Sequence, residues 1–138
     1  MKLEDLNNYP EYPSIEVVEQ FCNMVLDQAE IVLLKDTLDN LRYLGDKQWH
    51  TYKIPSEMLR ERVKAWLIYS GALDTEKYLE TILVIAFYFC LDKDFYKTVL
   101  KKYPGTHKQE FIRDLENSAG EIIDPWWSLK QSSANRQS

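Results

Sequence analysis

Ile82-Leu83-Val84-Ile85-Ala86-Phe87-Tyr88-Phe89-Cys90-Leu91 is a run of ten apolar residues, set between Asp74-Thr75-Glu76-Lys77 and Asp92-Lys93-Asp94. A helix that is apolar all round has no solvent face and must be covered on every side. Crossing a bilayer takes roughly 20 such residues. At half that length, with charged flanks, the run predicts a buried central helix and no membrane span. The fold expected is therefore all-α: a compact bundle of five or six helices around a central helix at about residues 75–91. Four Gly and five Pro in 138 residues are too few for a chain that turns as often as an all-β domain.

Working outward, the segment from Ile15 to Leu34 places Val18, Phe21, Cys22, Val25, Ala29, Val32 and Leu33 within a sector of about 120° at helical spacing. It predicts one long amphipathic helix, N-capped by Ser14. Asp36 to Leu44 continues or follows it, with Gly45 at the favoured terminal position. Residues 46–55 read as irregular. Pro55-Ser56 opens a helix to Ser70 closed by Gly71, with Leu59, Val63, Trp66, Leu67 and Ser70 on its inner side. Asp74 is expected to cap the central helix, and Asp92 or Asp94 the next one, which Pro104-Gly105 stops. Thr106-His107-Lys108-Gln109 fits a capping box ahead of a helix carrying Phe111, Ile112 and Leu115.

One domain over residues 1–129 follows, with residues 1–13 as an extended lead-in. Residues 122–129 (Ile-Ile-Asp-Pro-Trp-Trp-Ser-Leu) are expected to fold back across the helices. Residues 130–138 are polar and expected to be disordered. The acidic N-terminus lacks a signal-peptide core. With two cysteines, Cys22 and Cys90, both in apolar stretches, it points to a reducing cytoplasmic location.

Motifs for catalysis and for cofactors are missing. The four glycines are isolated, so there is no phosphate-binding loop. A four-ligand zinc site would have to gather Cys22, His50, Cys90 and His107 from four elements, two of them on apolar faces. No metal and no cofactor are therefore expected. His50 and His107 read better as exposed or capping groups than as general bases. Asp92 and Asp94 read better as caps than as Mg²⁺ ligands. Lys53, Arg60, Arg62 and Lys64 form the sole basic cluster. A helix-turn-helix over residues 57–91 fails because its reading helix is nearly all apolar and holds no Arg, Asn or Gln to address bases.

Charge separates the remaining classes. Residues 1–44 carry three basic and nine acidic side chains, a balance of −6 within a chain of net −5. Glu16, Glu19, Asn23, Asp27 and Glu30 form a stripe within about 80° opposite the predicted core face of the first helix. No Lys or Arg occurs from residue 3 to 34 to relieve it. Nucleic acid is repelled by such a surface, and a basic protein partner is attracted.

The reading is a small acidic protein-binding module and not an enzyme. Its concrete form is an immunity- or antitoxin-type inhibitor covering a basic site on a toxic enzyme such as a nuclease. The stripe would make the contact, with Trp49 or Trp126 as aromatic anchor. The alternatives are a homo-oligomeric structural or adaptor protein, and an enzyme with a dispersed site.

Overall fold

The computed structural model describes residues 2–121, with the side chains of residues 120 and 121 excluded. The expectations for residues 122–138, Trp126 included, lie outside the described residues. Six α-helices follow in order: α1 (Ile15–Asp27), α2 (Leu34–Trp49), α3 (Glu57–Tyr69), α4 (Leu79–Tyr88), α5 (Lys93–Lys102) and α6 (Gln109–Glu121), with no strand among the described residues. An all-helical bundle is what the apolar run requires.

Three caps form as the sequence predicts. The hydroxyls of Ser14 and Ser56 accept from the amides of Val17 and Leu59, and the Asp92 carboxylate accepts from Phe95. Each satisfies one of the amides that a helix start leaves orphaned. Thr75, and not Asp74, caps the short 3₁₀ turn Glu76–Tyr78 that leads into α4. The Thr106 capping box does not form. Its hydroxyl is buried without a protein partner, and the Gln109 amide donates instead to the Thr106 main-chain oxygen, 3.2 Å away.

The lead-in departs from an extended chain. Leu3–Asn8 winds into a 3₁₀ helix whose Leu6 enters the core. Tyr9 then packs edge-on against Phe21, and Lys47 Nζ donates to the Glu11 carbonyl at 2.7 Å, strapping the segment across α1 and α2.

The long first helix is broken. α1 stops at Asp27, and residues 28–33 form the turn into α2. Leu33, expected on the core face, is 74% exposed, and Ile31 is 87% exposed. The break lets α2 lie between α1 and α4. It is therefore α2 that principally covers the apolar run. Gly45 sits within α2 and not at its end. A Cβ there would lie 2.9 Å from Tyr88 Cβ, so the glycine is where the backbones of α2 and α4 come closest. Past Trp49 the chain turns, and the fully buried Gln48 donates its amide to the Lys53 carbonyl at 2.7 Å.

The apolar run itself is helical only to Tyr88. Cys90 has φ 56°, in the left-handed region. The Leu91 amide donates to Ala86 O at 3.0 Å and the Cys90 amide to Phe87 O at 3.2 Å. These two bonds are a Schellman motif, with buried Leu91 in the position that packs back on the helix. Cysteine occupies the place where glycine is usual. Left-handed backbone costs a Cβ-bearing residue about 1–2 kcal/mol, while glycine's extra unfolded-state freedom costs roughly half of that. Cys90→Gly should therefore raise stability by about 0.5–1 kcal/mol; a lower melting temperature would refute the strain.

The core gathers Phe21, Phe89 and Phe95 with the inner leucines of α2, α3 and α4, all fully buried. On α3, Leu59, Val63 and Leu67 are buried, while Trp66 and Ser70 are half-buried. α5 and α6 pack mainly on each other, and Ile112 of α6 is fully buried. No described helix is long and apolar enough to cross a membrane.

Candidate functional site

Glu16, Glu19, Asn23 and Asp27 share one row of α1. Glu30, expected in the same row, falls in the turn past the helix end, and the structure divides the stripe further. Glu19 accepts the Ser56 amide at 2.9 Å, at the start of α3. Asn23 Oδ1 accepts from Arg62 at 2.8 Å, and the Asn23 carbonyl accepts from the same nitrogen at 3.3 Å. Arg62 also forms an ion pair with Asp27. Three stripe residues thus fasten α3 alongside α1. The relief missing within the helix comes from an arginine 35 residues further along the chain.

Glu16 and Glu30 stay exposed. Hydrogen bonds from the backbone at the start of α1, then from Ser14, hold the Glu16 carboxyl below its ordinary value. That contribution to stability is in place above the ordinary carboxylate range and fades as pH falls through it. Between stripe and solvent lies a shallow depression of about 470 Å³ lined by Gln20, Asn23, Met24, Asp27 and Gln28. Carboxylate and amide groups there can accept from a cationic side chain. Directly after Glu30 come the exposed Ile31 and Leu33. Helical periodicity assigned Leu33 to the core and gave no separate signal for this apolar knuckle.

The basic cluster is likewise dispersed. Arg60 Nε donates to the Pro55 carbonyl at 3.1 Å, Arg62 is held by α1, and Lys64 pairs with Asp92 at 2.9 Å. Asp92 thereby serves as both cap and ion-pair partner. His50 Nδ1 donates to the Asp46 carbonyl at 2.8 Å, and its ring stacks on Tyr12. Burial pushes the Cys22 thiol far up, as suits a packed side chain. Among the described residues no group of three or more His, Cys, Asp or Glu is placed to hold a metal ion.

Trp49 is half-buried, its ring centroid 4.7 Å from that of Phe87, so it is tied to α4 and stands apart from the stripe. Beside it opens an apolar groove of about 630 Å³ between α4 and α6. Leu83, Val84, Phe87 and Tyr88 form one wall, with Phe111 and Leu115 on the other. His107, Glu80 and Lys108 also line it, the last two joined by an ion pair of 3.0 Å. The described residues thus leave one side of the apolar run open, where Phe87 is 47% exposed.

Set against protein-family models, curated proteins and solved structures, the chain matches none.

Proposed function

We propose that the chain is a small acidic binding protein of the immunity or antitoxin type, which covers a basic site on a toxic enzyme. The observation that carries this reading is the open end of the stripe. Asp27 lines the depression, and a few residues on, the exposed Glu30 is followed by Ile31 and Leu33, two large apolar side chains left in solvent. A nuclease site is basic because its substrate is a polyanion. Acidic groups steer association with such a site, and adjoining apolar groups slow departure from it. The contact centres on Glu16, Asp27 and Glu30, with Glu19 and Asn23 setting the position of the α1 surface through α3.

Charge reversal at Glu19 or Asp27 would disturb α3 as well as a partner. The discriminating variant is therefore Glu16→Lys with Glu30→Lys, both on exposed positions. Association with the captured enzyme should slow by about tenfold or more at low ionic strength, and the gap should close as salt screens the charges. Glu110→Lys with Asp114→Lys on α6 serves as control for net charge. Equal slowing by both pairs, or by neither, would sink the assignment of the surface to α1.

A second reading, self-association, draws on Tyr12, Tyr52, Met58 and Tyr69, all at least 60% exposed. Sedimentation at high concentration separates the two, since a strict monomer removes it.

A further inference from the structure

We propose that the groove between α4 and α6 binds a small amphiphilic anion, a medium-chain aliphatic carboxylate whose head rests on Lys108 and whose chain lies between Phe87 and Phe111. The volume of about 630 Å³ falls within the range of small-molecule sites, as does the make-up of apolar walls with a few polar groups. Phe111 is 56% exposed, and with Phe87 it leaves an aromatic ring open on each wall. A chain laid between the two rings removes from water apolar surface that the described residues leave bare.

The polar groups gather at one end. Glu80 stands in the first turn of α4, and His107 and Lys108 directly precede α6. From Glu80 to Phe87, and from Lys108 to Leu115, each wall runs about 10 Å at the helical rise. Lys108 Nζ donates to Glu80 Oε2 at 3.0 Å. An ammonium carries three N–H groups, and no described residue engages the other two. That hydrogen bond first, then the Lys108 charge and last that of Arg42, hold the Glu80 carboxyl below its ordinary value. One carboxylate thus faces two cations, and the amides that start α6 add positive potential. A chain acidic overall is locally cationic here. An apolar groove with such an end selects an apolar body with an anionic head. The site is separate from the α1 surface, and either can fail alone.

The test titrates the isotope-labelled full chain with decanoate, kept below the concentration at which it forms micelles, and reads methyl and amide NMR shifts. Saturable shifts should centre on the Leu83, Val84 and Leu115 methyls and on the amides of residues 107–111. Each buried methylene is worth up to about fourfold in affinity, so decanoate should bind at least about tenfold more tightly than hexanoate. Decyltrimethylammonium, with the opposite charge on the same chain, should bind about tenfold or more weakly than decanoate. Lys108→Gln should weaken decanoate about three- to tenfold, and Glu80→Gln should strengthen it, because the rival carboxylate is gone. Phe111→Glu, at an exposed position, should abolish binding with far-UV circular dichroism unchanged. No saturable shifts in the wild-type chain, shifts spread evenly over the surface, or equal affinity for the two head groups would overturn the proposal. So would a sedimenting dimer whose groove signals decanoate leaves unmoved, because a second copy would then hold the groove.

Discussion

Phe89→Ala should destabilise the protein by about 3–5 kcal/mol. The ring is fully buried just past the end of α4, and Gly45 of α2 lies against it. Its removal forfeits transfer energy and leaves a cavity that a closed helix junction cannot collapse around. A domain of this size holds on the order of 5–15 kcal/mol in all. The loss is therefore about a fifth of the total or more, and the melting temperature should fall by roughly 10–25 °C. Met58→Ala, at a residue 82% exposed, should change stability by no more than about 0.5 kcal/mol. Denaturant unfolding compares the two. A Phe89→Ala loss below about 1.5 kcal/mol would mean that the junction is far looser than its burial implies.

Gly45 gives the second large effect, and there the ranking of substitutions matters more than any one value. Helix propensity alone ranks alanine above valine and valine above glycine, with about 1 kcal/mol separating alanine from glycine. Packing opposes it. A new Cβ would stand 2.9 Å from Tyr88 Cβ and 3.1 Å from the Phe89 ring. The first of these atoms is anchored to the α4 backbone and cannot swing away, so α2 and α4 must part. Overpacking of this kind costs about 1–3 kcal/mol and grows with added methyl groups. Gly45→Ala should come out between neutral and about 2 kcal/mol destabilised, and Gly45→Val at about 2–4 kcal/mol. Stability in the order glycine, alanine, valine is the expected result of urea titrations. The propensity order would show that the helices are not in close approach.

Local signals were legible where the chain itself supplies both partners. Ser14, Ser56 and Asp92 each cap a helix whose amide lies three residues on, and the apolar run announces a buried helix by composition alone. Misreadings arose where a distant element decides. Nothing at Asp27 stops a helix: no glycine or proline is near, and the apolar period runs on through Ala29, Val32 and Leu33. The chain turns there because α2 has to reach α4. Gly45 has the look of a terminator, yet it is a contact residue for a helix some forty positions away. Thr106 has the spacing of a capping box, but its buried hydroxyl takes no part. Helical spacing places Glu16, Glu19, Asn23 and Asp27 in one row, but it carries Glu30 past the true end of the helix, and the counterion Arg62 lies beyond any helical-spacing rule.

The seam that Arg62 makes between α1 and α3 answers a question of phase. Leu59, Val63 and Leu67, the buried side chains of α3, recur every four residues. Apolar contact alone would let α3 slide along α1 by one turn, about 6 Å, exchanging one aliphatic side chain for the next. The polar contacts do not repeat. A slide of that length parts Glu19 from the Ser56 amide and Arg62 from both Asn23 and Asp27 at once, stranding a guanidinium beside groups it no longer reaches. The aliphatic ladder supplies adhesion without an address, and a handful of directional bonds supplies the address.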